Sequence, residues 1–360
     1  MQVLSPYNKQ HEIYIGSQIG TLKKCTTNSQ NKDSKDAKKL KEIKNLKDTC
    51  ETDVGSSITS MCWINPEKTQ ILFAQKNNVV RLYNTKKEGT KLVLRVEDKN
   101  PIVGVFQCKK ITATCTNEGD LTFWENDEKQ KEINVGKHVS AFQQCSSSKN
   151  LLVTGGKDNN TRVWDINTGT STFTAKNEPH DALQMEVPVW VSDSVFLPEN
   201  ESLIATSSRY GKARLYDVRT QRRPVTIVDV QTALTAISPC YHQERTVLVG
   251  TTTGTMQLID LRAKGRALNT YKDFAGSVTK IYCDDKDPFI VSVSLDRFLR
   301  VHHRDTKKLV YKVYIKTKPS CLLVKNLETK TKKVPEDGEK EPQDGSDSED
   351  DCLSGLPTIQ

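Results

Sequence analysis

Long apolar runs are the first thing this sequence does without. A membrane span needs about 20 consecutive apolar residues. The best runs here, Ile71-Leu72-Phe73-Ala74 and Val187-Pro188-Val189-Trp190-Val191, are the length of a β-strand. No part of the chain is expected to cross a bilayer, and residues 1–10 lack the apolar stretch of a secretory signal. None of the 10 cysteines falls in a Cys-x-x-Cys pair. That spacing predicts a reducing compartment, with cysteines serving as small core residues. Catalytic signatures are missing as well. Gly156-Lys157-Asp158 has no hydroxyl residue after its lysine, and Leu151 stands where the leading glycine of a phosphate loop belongs. The six histidines are scattered. His302 and His303 are neighbours on one strand, so they point to opposite faces and cannot share a metal. No Gly-x-Ser-x-Gly elbow occurs. These absences predict a non-enzyme: no catalytic residue, no metal site, no cofactor and no small-molecule substrate.

What is present is charge, unevenly placed. The 360 residues carry a formal +8. Residues 334–360 hold nine acids and one base, a charge of −8, which leaves +16 on the 333 residues before them. A basic body of this size points to an anionic partner, nucleic acid first. The tail from Lys325 onward is rich in proline, glycine and charge, basic and then acidic, and is expected to be disordered.

One short pattern recurs along the body. It reads Val79-Val80-Arg81-Leu82-Tyr83-Asn84, then Leu121-Thr122-Phe123-Trp124-Glu125, then Thr161-Arg162-Val163-Trp164-Asp165. It returns as Ala213-Arg214-Leu215-Tyr216-Asp217, Met256-Gln257-Leu258-Ile259-Asp260 and Leu299-Arg300-Val301-His302-His303, with a degenerate copy at Gly20-Thr21-Leu22-Lys23-Lys24-Cys25. Successive copies end 59, 41, 40, 52, 43 and 43 residues apart. Four of those gaps fit a WD-type blade of about 40–45 residues. Strand-sized segments such as Leu151–Gly156 and Phe289–Ser294 fill the intervals. Their apolar pattern is mixed, as expected where both faces of a sheet are covered.

Seven copies predict an all-β fold, a seven-bladed WD-type β-propeller spanning residues 1–326, with a tail at 327–360. The first blade opens at Glu12-Ile13-Tyr14-Ile15 and lacks its innermost strand. The segment Ser320-Cys321-Leu322-Leu323-Val324 can supply it from the C-terminal side, closing the ring and leaving no open edge. The two long gaps locate insertions, a lysine-rich one at about 26–52 and a loop at about 175–190. Insertions in repeat folds map to one face, often the binding face.

Asp158 with Trp164, and Asp296 with His302, share a six-residue spacing. A turn carboxylate at that spacing is expected to hold a hydrogen-bond network inside its blade. Lys38, Lys39, Lys41 and Lys44 cluster in the first insertion as candidate phosphate contacts. Arg222-Arg223-Pro224 is a smaller basic spot. Ser346 and Ser348, set among acids, are candidate phosphosites, and Lys330, Lys332 and Lys333 a candidate import signal.

Several passages go beyond a general WD repeat. They are Thr154-Gly155-Gly156-Lys157-Asp158 through Trp164-Asp165, Ala175-Lys176-Asn177, Val187-Pro188-Val189-Trp190, and Gln221-Arg222-Arg223-Pro224-Val225. Ala275-Gly276-Ser277-Val278, Leu295-Asp296-Arg297-Phe298-Leu299-Arg300-Val301-His302 and Lys312-Val313-Tyr314-Ile315-Lys316 continue the series. Together they resemble the WD-repeat family of large ribosomal subunit assembly factors, that of WD repeat-containing protein 74. The resemblance implies a non-catalytic scaffold in the nucleus and nucleolus. It would bind proteins of the pre-ribosomal large-subunit particle, with pre-rRNA as a further partner, and support pre-rRNA processing, with release linked to an AAA-type ATPase. By the same resemblance Lys176, Asn177, Asp181, Pro188, Trp190, Arg222, Arg223 and Arg297 are candidate contacts. The acidic end departs from the lysine- and arginine-rich tails of the family. An alternative is a substrate receptor of a cullin-RING ubiquitin ligase, because Asp217-Val218-Arg219 and Asp260-Leu261-Arg262 resemble an adaptor-docking box.

Overall fold

The computed structural model describes residues 10–27, 43–45, 54–108, 110–180, 183–262 and 265–327. Every regular element among them is a β-strand, apart from one short 3-10 turn at Val54–Ser56. The strands form seven antiparallel sheets of four. From the innermost strand outward, blade 2 is Ile58–Trp63, Gln70–Gln75, Val79–Asn84 and Gly89–Arg95. Blade 3 is Ile102–Cys108, Ile111–Thr116, Asp120–Glu125 and Glu128–Asn134. Blade 4 is Val139–Gln144, Leu151–Gly156, Asn159–Asp165 and Thr170–Thr174. Blade 5 is Val191–Leu197, Asn200–Ser208, Lys212–Asp217 and Thr226–Asp229. Blade 6 is Leu234–Pro239, Thr246–Thr251, Met256–Asp260 and Arg266–Tyr271. Blade 7 is Val278–Cys283, Phe289–Ser294, Phe298–His303 and Leu309–Tyr314. The recurring pattern of the sequence is the third strand of each blade.

Blade 1 is assembled from both ends of the repeat region. Pro319–Leu327 is its innermost strand, followed by Gln10–Ser17, Leu22–Thr26 and Ile43–Asn45. Ile13 lies opposite Val324 and Ile15 opposite Leu322. The expected closure is therefore present, and the innermost strand of blade 1 neighbours those of blades 7 and 2. The core is divided among the blade interfaces. Seven buried clusters each draw on two adjacent blades; Leu203, Leu215, Val247 and Ile259, for example, join blades 5 and 6. A sheet covered on both faces needs apolar residues on both, which explains why simple alternation is absent. The described cysteines are all free and, as expected, buried or half-buried.

In blades 3 and 4 a tryptophan of the third strand bonds a threonine of the second. Trp124 Nε1 donates to Thr114 Oγ1 at 2.9 Å, and Trp164 Nε1 donates to Thr154 Oγ1 at 2.9 Å. The same position in blade 7 is His302, with Ser292 where the threonine stands. The His302 imidazole is buried against Tyr271 and Phe274. Burial, aided by the Arg300 charge, lowers its pKa from 6.5 to about 4. A base depressed in the folded state stabilises the fold fully above its unfolded pKa. That contribution is lost as pH falls from 6.5 toward 4. The shift corresponds to about 3 kcal/mol. His302→Trp, which gives Ser292 the indole donor of blades 3 and 4, is expected to flatten the acid slope of Tm over that range. An unchanged slope would assign the acid sensitivity to other groups.

Candidate partner-binding face

In each blade the turn between the second and third strands emerges on the same face of the ring as the loop to the next blade. On this face the loop at 175–190 stands between blades 4 and 5. It is pinned at several points. Lys176 N donates to the Arg222 carbonyl at 2.8 Å, and Arg222 Nε donates to the Thr174 carbonyl at 2.8 Å. The arginine turn and the loop are thereby one structure, although nearly fifty residues separate Thr174 from Arg222. Arg222 and Arg223 are solvent-exposed. Asn177 Nδ2 donates to the Val187 carbonyl at 2.5 Å and draws the two ends of the loop together. Asp181 lies outside the described residues.

The strongest anchor is one that sequence reasoning missed. Glu178 turns inward, with Oε2 2.5 Å from Lys212 Nζ and Oε1 2.6 Å from an Arg214 guanidinium nitrogen. Arg214 is almost wholly buried. An arginine in the middle of a strand whose neighbours are all buried signals a hidden acid, but nothing in the sequence names Glu178 as its partner. At the far end of the loop Val189 packs on Ala141 and Val191. Trp190 forms a bridge with Lys157, which sets the Lys157 ammonium 5.3 Å from the centre of the indole. Tyr210 meets the same indole edge-on, with centroids 6.4 Å apart. Pro188 is exposed and Trp190 half-buried. Lys176, Asn177, Pro188, Trp190, Arg222 and Arg223 thus share one junction.

The remaining candidates lie elsewhere. Arg297 occupies the blade 7 turn at φ 66°, on the same face of the ring. Lys44 is on the outer strand of blade 1, opposite Lys24. Lys38, Lys39, Lys41, Ser346 and Ser348 lie outside the described residues.

The two turn aspartates differ. Asp296 accepts from Arg300 at 2.6 and 3.1 Å, from Ser294 Oγ, and from the Phe298 and Ala275 amides at 3.1 Å. Burial alone would raise its pKa, but these bonds hold the carboxyl below the usual range. Among the described residues Asp158 joins no such network, which corrects the expectation drawn from its spacing. In blade 4 the pairing slips between Thr154 and Gly156, inserting one extra residue into the third strand. The slip moves Asp158 into the left-handed corner at φ 53°, the position held by Asn78, Gly119 and Gly211 in other blades and by Arg297 in blade 7. Its side chain faces solvent and lines a cleft of about 270 Å³ with Asn160, Glu186, Val187, Pro188 and Val189. On the axis of the ring, Lys280 of blade 7 reaches Asp193 of blade 5 at 2.8 Å.

Comparison with known proteins places this architecture. The WD domain, G-beta repeat family matches residues 131–165, the blade 3 to blade 4 step. WD repeat-containing protein 74 of Mus musculus is 34% identical over 282 residues, covering 74% of this chain and 72% of its own. The chain belongs to the family of WD repeat-containing protein 74. The Homo sapiens member is 31% identical over 283 residues, again with 74% and 72% covered. Ribosome biogenesis protein NSA1 of Meyerozyma guilliermondii is 24% identical over 286 residues, covering 66% of this chain and 71% of its own. Among solved structures, the computationally designed Ika8 protein superposes with a TM-score of 0.54 at 18% identity, covering 71% of this chain and 73% of that one. That likeness concerns the fold alone.

Proposed function

We propose that this protein is a non-catalytic scaffold in ribosome biogenesis that docks on precursors of the large ribosomal subunit through the face between blades 4 and 5. Membership in a family whose fungal relatives are named ribosome biogenesis proteins carries the reading. The pinned loop supports it, because a preformed surface loses little ordering entropy on binding. Action in the nucleus and nucleolus, and release by an AAA-type ATPase, belong to the same proposal. The cluster of Lys38, Lys39, Lys41 and Lys44 supplies a grip on pre-rRNA phosphate. The ubiquitin-ligase alternative is less well supported. Arg262 already forks onto its own Asp260 at 2.8 and 3.0 Å, and Arg219 lies 3.5 Å from Asp217.

Gradient sedimentation tests the proposal. A tagged chain is expected to travel with large-subunit precursors at low salt and to be shed as salt rises, since phosphate contacts release counterions. Neutralising Lys38, Lys39, Lys41 and Lys44, or reversing Arg223 to glutamate, is expected to cut the bound fraction without changing Tm. Free sedimentation of the unaltered chain at low salt would overturn the reading.

A further inference from the structure

The cleft beside the blade 4 turn has the wrong sign for its surroundings. The 333 residues before the acidic tail carry +16, yet two carboxylates, Asp158 and Glu186, line this cleft. Both side chains are exposed, and neither has an ion-pair or hydrogen-bond partner among the described residues. Lys157, next in the chain, sets its ammonium over the Trp190 ring instead of on Asp158. Val187, Pro188 and Val189, which follow Glu186 in the chain, line the same cleft, and Asn160 adds an amide. The walls are already fixed. Asp158 N donates to the Val189 carbonyl at 2.9 Å, and Asn177 holds the Val187 carbonyl from behind.

These features select an occupant. Phosphate is repelled by two unpaired carboxylates, so an RNA backbone does not fit here. A long cationic side chain fits both chemistries, its methylene stem along Val187 and Pro188 and its charged head between the acids. A guanidinium can also fork onto carboxylate. We infer that this cleft takes a lysine or arginine side chain of a basic protein partner. The inference rests on the scaffold reading above and adds the chemistry of one partner: the cleft meets protein, and nucleic acid is held elsewhere.

The test uses the full chain on purified large-subunit precursors. Asp158→Lys combined with Glu186→Lys is expected to lower the particle-bound fraction at least about tenfold, as for loss of a desolvated charge pair. Its Tm is expected to stay unchanged, because both side chains are exposed. Benzoylphenylalanine in place of Asn160 is expected to give, on irradiation, an adduct to a lysine- or arginine-rich peptide that survives ribonuclease. Undiminished association of the charge-reversed chain would overturn the inference, and so would an adduct destroyed by ribonuclease. If the unaltered chain does not sediment with precursors, the scaffold reading itself fails. If it does and the charge-reversed chain does too, only the cleft assignment fails.

Discussion

A chain ending at residue 318 is expected to lose its cooperative unfolding transition altogether. The closing strand Pro319–Leu327 is the innermost of blade 1 and pairs with Gln10–Ser17 along nearly its whole length. Val324 belongs to the buried cluster between blades 7 and 1, and Cys321 to the one between blades 1 and 2. Full burial of one valine is worth about 1.5–3 kcal/mol. Removing the strand also uncovers Ile13, Tyr14 and Ile15, all at zero exposure. Those losses together are of the same order as the roughly 5–15 kcal/mol by which a typical domain is stable. An open sheet edge would remain beside them, a template for aggregation. Calorimetry should show no transition for this chain, while a chain ending at residue 327, which keeps every described strand, should melt as the full protein does. A synthetic peptide of residues 317–328 should restore the transition when refolded with the shorter chain. A shorter chain that melts cooperatively near the original Tm would show that blade 1 does not need closure.

The ring was legible because its grammar is local and repeated. A third strand such as Ala213–Asp217 announces itself by apolar and aromatic residues after a glycine corner, and the spacing does the counting. Closure was legible for a related reason: blade 1 visibly begins one strand short, and a spare strand follows blade 7. The polar interior was harder to read. Asp158 and Asp296 sit at identical distances from their aromatic partners, yet one extra residue in a single strand separates their fates. A bulge of that kind leaves no compositional trace. Glu178 and Arg214 are ordinary charges in the sequence; their meeting depends on where blade 5 places a strand relative to a loop of blade 4. Lys280 and Asp193 face each other only because the ring closes. The candidate face was therefore legible as a set of loop residues, while the charges that hold it in shape, and the acidic cleft within it, were not.

Arg300 is the buried charge on which the blade 7 corner depends, and losing it is expected to cost about 3–5 kcal/mol. It is 1% exposed and lies under the rings of Phe274 and Phe298, 4.7 and 5.3 Å from their centres. Its only acidic partner among the described residues is Asp296. Arg300→Met keeps most of the volume and leaves Asp296 as an uncompensated carboxylate. Asp296→Asn leaves a buried guanidinium without its counter-charge, with Ser294 Oγ still accepting from it at 3.0 Å. Either variant should lower the denaturant midpoint with little change in slope, since the surface exposed on unfolding hardly changes. Replacing both residues with apolar ones should cost less than the sum of the two, because a well-packed apolar pair can stand in for a buried ion pair. The pH dependence has a definite sign. The Asp296 carboxyl is held below the usual range, so its contribution is present at neutral pH and lost only as pH falls through that lowered value. The His302 slope between 6.5 and 4 should therefore survive in Arg300→Met, diminished by the missing Arg300 charge. The corner also presents Arg297, whose amide bonds the Ser294 carbonyl and whose carbonyl receives the Ile315 amide. Loosening it should weaken particle association at temperatures well below melting. A cost under about 1 kcal/mol for both single variants would mean that water satisfies the pair as well as the protein does.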